Sequence, residues 1–192
     1  MQELKALHLI VCLALLLNAC ASLAVADQNL WNISSHGGIV LLTPAAIAPD
    51  IDPGETSALA NRCSERDSLS EQGRRQAQRL KHALQVHDVA VGRVLTGSDC
   101  RSVVTAGIVF GRAEPWSILD EPGDDEALMR RDKNRALREA IARWHSEDNL
   151  ALVTRRNNIR DALGIDLQPG EIVVIEPMGD AGYRLLGKLP GI

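Results

Sequence analysis

Residues 38–44 have the sequence GIVLLTP, in which four consecutive branched aliphatic residues follow a glycine and precede Thr43 and Pro44. An uninterrupted apolar run of this length, with β-branched members, is typical of a strand that is buried on both faces. Strands of this kind belong mainly to parallel sheets that carry helices on both sides. The run therefore predicts an α/β fold whose first strand ends at Thr43 and Pro44.

The chain beyond this strand alternates between helical and strand patterns. Residues 45–68 are rich in Pro, Asp, Gly and Ser, which predicts a long loop, and loops of this length in a compact domain are usually functional. Ser70 then predicts the cap of a helix that buries Ala77, Leu80 and Leu84 on one face. The later predicted elements are a strand over 89–96, a helix over 100–110, a short strand over 116–119, a helix over about 126–146, a strand over 150–154, a helix over 157–163 and a hairpin of 171–176 with 183–186. This alternation predicts a three-layer sandwich with a mostly parallel central sheet.

The composition of the chain limits the classes of molecule that the protein is expected to bind. The chain has 192 residues, of which 45% are hydrophobic and 24% charged, as expected for one globular domain. Its formal net charge of -4 leaves no polybasic surface for nucleic-acid phosphates, and 3% aromatic residues offer few stacking platforms for bases. These values exclude nucleic acid as the expected partner and leave small molecules or proteins.

The first 26 residues have the pattern of a secretory signal. A short apolar run over residues 6–17 is followed by small residues, and it is too short to span a bilayer as a helix. Two cleavage sites remain open: a lipobox-like Leu-Asn-Ala-Cys, which would make Cys20 a lipidated first residue, and an Ala-x-A-type site after Ala26. Either site predicts an exported protein of the bacterial periplasm or a lipoprotein anchored in the outer membrane. The expected organisation is a signal over 1–26, an N-terminal segment over 27–36 and one domain over 37–192.

Two of the four cysteines, Cys63 and Cys100, lie in the part of the chain that is expected to fold. An oxidising compartment permits one bridge between them, and two unpaired thiols are the alternative. No CxxC pair or His-rich spacing indicates a metal site. No glycine-rich nucleotide loop is present either, so no metal and no cofactor are expected.

Four motifs in order resemble the histidine phosphatase superfamily, which is also called phosphoglycerate mutase-like. They are Gly38–Leu42, the stretch LSEQGRRQA at 69–77, Gly92–Leu95 leading into Cys100-Arg101, and Leu152–Thr154. The resemblance covers roughly residues 37–190 and is greatest to small exported bacterial members with a Cys before the Leu-Ser-Glu-x-Gly helix. It implies the phosphoglycerate mutase-like fold. It also implies a site in which the first strand ends in an Arg-His pair, whose His is phosphorylated, and a second His follows the Leu-Val-Thr strand.

This sequence departs from that pattern at the reacting positions. Thr43 and Pro44 occupy the places of the Arg-His pair, and Arg155 occupies the place of the second His. The family's reaction needs an imidazole nitrogen to attack phosphorus and to carry the phosphoryl group. Proline has no nucleophile, and a permanently protonated guanidinium has no lone pair to offer. His36 is expected at the opposite end of the first strand, and His82, His87 and His145 are expected on the surface.

The resemblance nevertheless leaves an anion-binding pattern. Arg101 matches the family's phosphate-binding arginine, and Arg66 matches the arginine of the first loop. Arg155 and Arg156 add positive charge where a strand leads into a helix N-terminus, which favours anions. Guanidinium groups bind phosphate, sulfate or carboxylate through paired hydrogen bonds. The alternative interpretation is that these arginines form ordinary ion pairs with nearby carboxylates such as Glu65, Asp67 and Asp99.

Two further features are implied by the resemblance. The family's general acid follows the third strand, where this chain has Asp120 and Glu121, and Glu121 is taken as the acid position. Cys63 and Cys100 would lie on two loops that border the pocket, so a bridge between them would tie the first loop to the arginine loop.

Three functions are consistent with this pattern. The first is a catalytically inactive pseudophosphatase that binds an anionic small molecule, a phosphoester or an envelope protein in the former active-site cleft, with no membrane contact beyond a lipid anchor. The second is a phosphoric monoester hydrolase with a changed mechanism, in which Asp50, Asp52 or Glu121 activates water. The third is a structural or interaction domain with a vestigial cleft. The sequence favours the first function because the histidines are absent and the arginines are present.

Overall fold

The computed structural model describes residues 27–48, 63, 69–122 and 127–190. The helices of this part are α1 (residues 27–36), α2 (Glu71–Val86), α3 (Cys100–Phe110), α4 (Ala127–Ala142) and α5 (Arg156–Leu163). The strands are β1 (Val40–Pro44), β2 (Val91–Thr96), β3 (Glu114–Pro115), β4 (Asn149–Thr154), β5 (Ile172–Pro177) and β6 (Tyr183–Leu189). Short 3₁₀ turns lie at Ser117–Leu119 and Gly179–Ala181.

The strands form one six-stranded sheet in the order β3-β2-β4-β1-β5-β6. Strands β3, β2, β4 and β1 pair in parallel, whereas β5 is antiparallel to β1 and β6 is antiparallel to β5. The prediction of a mostly parallel α/β sheet is therefore confirmed. Every residue of β1 and β4 is buried, which agrees with the apolar run that opens the fold.

Side chains of β1 alternate between two apolar layers. Leu41 lies in a cluster with the buried faces of α1 and α2, whereas Leu42 lies in a cluster with residues of α4 and α5. This alternation follows from the two-residue period of a strand. The result is the predicted arrangement of helix, sheet and helix layers.

Helix α2 begins as its sequence predicts. The Ser70 side chain accepts a hydrogen bond from the Gly73 amide, and the predicted residues Ala77, Leu80 and Leu84 are buried. Gly73 also lies against the chain that leaves β1, where the Ile47 carbonyl accepts hydrogen bonds from the Ser70 amide and hydroxyl. The helix start therefore fixes the first residues after β1.

The prediction of a strand over Trp116–Leu119 is wrong. The strand is the two-residue β3 just before it, and Ser117–Leu119 form a 3₁₀ turn. The Leu119 carbonyl accepts hydrogen bonds from Thr154 Oγ1 at 2.6 Å and from Asn158 Nδ2 at 2.8 Å. These side chains hold the turn against β4 and α5, so a continuing strand is not formed.

The segment over residues 27–36 forms helix α1 and contributes to the core. Leu30 and Trp31 are buried, and the Trp31 ring stacks on His87 with ring centroids 4.3 Å apart. The described part contains no helix long and apolar enough to cross a membrane.

Asn149 joins three segments at the start of β4. Its side-chain amide donates to the Ser34 and Ala90 carbonyls, each at 2.7 Å, and its Oδ1 accepts from the Ile39 amide at 3.2 Å. We expect Asn149→Ala to lower the free energy of unfolding by at least ~2 kcal/mol, because buried backbone groups would lose their partners.

Urea unfolding measures this change, and the matched control is Asn157→Ala on the exposed side of α5. The control should stay within about 0.5 kcal/mol of the parent protein. Equal losses in the two variants would contradict the role given to Asn149.

Candidate anion-binding site

The carboxyl ends of three parallel strands meet at one edge of the sheet, here called the carboxyl edge. Pro44 at the end of β1 is in register with Thr154 at the end of β4, and Thr96 at the end of β2 pairs with Val153. Helices α3 and α5 begin just beyond β2 and β4. Ligands of open α/β sheets bind in crevices outside the carboxyl ends of strands, and helix N-termini favour anions.

Arg101 lies in the first turn of α3 at this edge. Its Nε is buried and has no hydrogen-bond partner among the described residues. Burial holds the pKa of the Arg101 guanidinium below its usual value and the nearby charge of Arg155 lowers it further, whereas Asp99 and Glu121 act in the opposite direction. A buried donor without a partner is costly. An anion oxygen that accepts from Arg101 would remove that cost.

Arg155 follows β4 directly and lies between two carboxylates. Its Nε is 3.7 Å from Asp99 Oδ1, and its Nη1 is 3.3 Å from Glu121 Oε2. Both distances exceed the 2.7–2.9 Å or so of a charge-assisted hydrogen bond. The Arg155 side chain is also 41% exposed. The two carboxylates therefore hold Arg155 loosely.

The acidic residues of the carboxyl edge differ in how many partners donate hydrogen bonds to their carboxylates. Asp99 caps α3 and accepts from the Ser102 amide at 3.2 Å and the Ser102 hydroxyl at 2.7 Å. Asp120 accepts from the Ser98 amide at 2.5 Å and the Ser98 hydroxyl at 3.2 Å. Glu121 has Arg155 as its partner. Asp99 and Asp120 thus shape the loops, and Glu121 keeps acceptor capacity.

Thr43 and Pro44 offer neither a nucleophile nor a free donor at the edge. Thr43 Oγ1 donates to the Glu171 carbonyl at 2.8 Å, and both residues are buried. Pro44 has no amide hydrogen and no reactive side chain. The end of β1 therefore contributes no reactive group and no free hydrogen-bond donor to the carboxyl edge.

Arg156 has a different carboxylate partner from Arg155. Its Nε lies 3.8 Å from Asp166 Oδ1, a contact as loose as the two contacts of Arg155. Arg66 and Cys20 lie outside the described residues, as do Asp50 and Asp52 of the first loop. The ion-pair interpretation thus describes Arg156 and part of the surroundings of Arg155, but not the unpartnered Nε of Arg101.

A disulfide joins Cys63 to Cys100, with their Cα atoms 5.0 Å apart. It connects the first loop to the residue immediately before Arg101. We expect the mass of a protein that begins at residue 27, and so contains only these two cysteines, to stay unchanged after alkylation without reductant and to increase by two adducts after reduction. Two adducts without reductant would contradict the bridge.

The histidines of the described part lie away from the carboxyl edge. His36, His87 and His145 come shortly before β1, β2 and β4, at the amino ends of these strands. His82 lies in the second half of α2, whose first residues contact Ile47 near the carboxyl edge. Among the described residues, then, the carboxyl edge carries arginines and carboxylates but no imidazole.

The contacts that position the acidic turn at Asp120 and Glu121 are not apparent from the sequence. The Thr154 hydroxyl and the Asn158 amide donate to the Leu119 carbonyl, and this turn leads to Glu121 beside Arg155. A cap at Asp99 had a usable signal, because a helical pattern begins at Cys100. No local signal could have linked Asn158 to Leu119. The described residues contain no group of His, Cys, Asp or Glu arranged to hold a metal ion.

Solved structures of similar fold were found by structural comparison. The protein histidine phosphatase SixA, complexed with tungstate, has a TM-score of 0.55 at 13% identity over 78% of this chain and 95% of its own. A phosphoserine phosphatase variant from Entamoeba histolytica, in complex with phosphoserine, has a TM-score of 0.58 at 12% identity over 80% and 97%. The product of the open reading frame Rv3214 from Mycobacterium tuberculosis has a TM-score of 0.56 at 13% identity over 77% and 94%.

Comparison of the sequence itself gave a different result. No protein-family model and no curated protein sequence matches the chain. Identities of 12–13% to the solved structures bear on the fold alone. On that structural likeness, the chain has the same α/β fold as SixA and the phosphoserine phosphatase.

Proposed function

We propose that this protein is an exported pseudophosphatase that binds a phosphate-like anion, or an envelope partner that carries one, at the carboxyl edge. The observation that carries the proposal is the buried, unpartnered Nε of Arg101 close to the loosely held Arg155. Two guanidinium groups near enough to affect each other's charge can bind a tetrahedral oxyanion together. Their like charges oppose each other until an anion lies between them.

The absence of catalysis in this proposal rests on chemistry. Transfer of a phosphoryl group to the protein needs a nucleophilic nitrogen, and the described part of the edge has Pro44 and Arg155 where the resemblance places histidines. Neither side chain can form the phosphoenzyme. The arginines would then hold a phosphoester without cleaving it.

A phosphoric monoester hydrolase with a changed mechanism is the second candidate. It is favoured by the position of Glu121, whose carboxylate lies at the edge and could activate water beside an anion held by Arg101. Named phosphatases among the solved structures of this fold give the candidate further weight.

Phosphate release from a panel of phosphomonoesters, measured together with phosphate binding, tests both candidates. We expect binding by the purified protein and no release above that of Arg101→Ala, which serves as the control for contaminating phosphatase. Release that disappears in Arg101→Ala would establish the hydrolase instead. If neither binding nor release is found, the cleft is vestigial and the structural role remains.

Export and lipid anchoring form a separate part of the proposal, supported by the signal pattern that ends at Cys20 or Ala26. Labelled palmitate should appear on the exported protein and disappear in Cys20→Ala. Label that persists in this variant would exclude the lipobox. An unlabelled exported protein would favour cleavage after Ala26 and a soluble periplasmic form.

A further inference from the structure

Among the described residues whose charges act on Arg101, positive and negative charges are balanced before any ligand binds. Arg101 and Arg155 supply two positive charges, and Asp99 and Glu121 supply two negative charges within the same group of interacting residues. A phosphate dianion would leave this group with an excess of negative charge. A ligand that brings its own positive charge would keep the balance.

Binding of an anion also requires Arg155 to change partners. A phosphate oxygen at charge-assisted hydrogen-bond distance would attract Arg155 more strongly than carboxylates 3.3 and 3.7 Å away. Asp99 would remain satisfied, because the Ser102 amide and hydroxyl donate to it. Glu121 would lose the partner that the structure gives it. A carboxylate left without a cation beside a bound dianion is destabilising.

We infer that the carboxyl edge recognises a zwitterionic phosphomonoester, with the phosphate on Arg101 and Arg155 and a neighbouring ammonium group on the Glu121 carboxylate. The ligand then exchanges partners with the protein: its phosphate replaces Glu121 on Arg155, and its ammonium replaces Arg155 on Glu121. This inference rests on the proposed function and adds the class of ligand. It makes Glu121 a specificity-determining residue.

Phosphoethanolamine and ethyl phosphate are the two probes, because they share the phosphate and a two-carbon unit and differ in the amine. Calorimetric titration of the full protein should give about tenfold tighter binding of phosphoethanolamine, the gain expected for one hydrogen bond between charged groups. In Glu121→Gln the preference should fall to near one. Glu139→Gln, which changes an exposed carboxylate of α4, is the matched control and should keep the preference.

The outcomes separate this inference from the function on which it rests. Equal binding of the two probes would overturn the zwitterion and leave anion binding intact. Equally tighter binding of both probes in Glu121→Gln would show Glu121 to be a competitor for Arg155 and would also overturn the inference. If the parent protein binds neither probe, the proposed function itself fails. A thermal melt of each variant without ligand verifies that it is folded.

Discussion

Replacing Arg101 with alanine is expected to weaken phosphate binding about 10- to 100-fold, the effect of losing charged hydrogen bonds worth about 1.5–3 kcal/mol. Arg101 has a buried Nε without a partner among the described residues, so an anion that reaches this side chain would supply the missing acceptor. Because a ligand stabilises the folded state that binds it, the increase in melting temperature with added phosphate should be reduced to the same degree. Titration calorimetry and thermal melts measure the two effects.

Two further variants make this prediction specific. Arg101→Lys keeps the positive charge but removes the planar fork, so it should bind phosphate with intermediate affinity. Arg130→Ala removes an arginine that pairs with Asp161 at 3.0 Å between α4 and α5, and it should leave phosphate binding unchanged. A loss in Arg130→Ala as large as that in Arg101→Ala would point to a general loss of positive charge rather than to a site.

Two glycine-to-alanine changes are expected to alter stability in opposite directions. A Cβ at Gly73 would lie 2.1 Å from the Ile47 carbonyl oxygen, so the start of α2 or the chain after β1 would have to move. We expect Gly73→Ala to lower the free energy of unfolding by about 3 kcal/mol or more, at the upper end of overpacking costs. A Cβ at Gly107, in the exposed part of α3, would have no neighbour within 4 Å among the described residues. Gly107→Ala should therefore stabilise the protein by about 0.5–1 kcal/mol.

Chemical unfolding of the two variants beside the parent protein measures the change in the free energy of unfolding of each, which should be negative for Gly73→Ala and positive for Gly107→Ala. The pair shares one chemical change, so any general effect of replacing glycine with alanine cancels between them. A stable Gly73→Ala variant would show that α2 can shift away from Ile47. It would also contradict the role given to this close approach in fixing the chain after β1.

Much of the fold could be predicted because its signals are local. The apolar run of β1, the Ser70 cap and the buried face of α2 each lie within one short window of sequence. Trp116–Leu119 was wrongly predicted as a strand because four such residues suit either a strand or a tight turn. The segment forms a turn because Thr154 and Asn158 donate hydrogen bonds to the Leu119 carbonyl. These two residues lie 35 and 39 positions away in the sequence.

The site was predictable to a similar extent. The placement of Arg155 with its carboxylates follows from the order of strands and helices, which the motifs indicate. The contact of Arg156 with Asp166 could not be predicted from that order, because a side chain at the first position of a helix can point toward either side. The burial of α1 also depends on a distant partner, since Trp31 stacks on a histidine at the end of α2.

The bridge between Cys63 and Cys100 closes a covalent ring that contains all of α2 and β2. A single backbone cut anywhere within that ring would leave two fragments that still migrate as one molecule. A protease that nicks the chain between these cysteines would therefore not release the segment that ends next to Arg101. Such damage would appear on a gel only after reduction, and the protein could be cleaved once without losing the loop that carries Arg101.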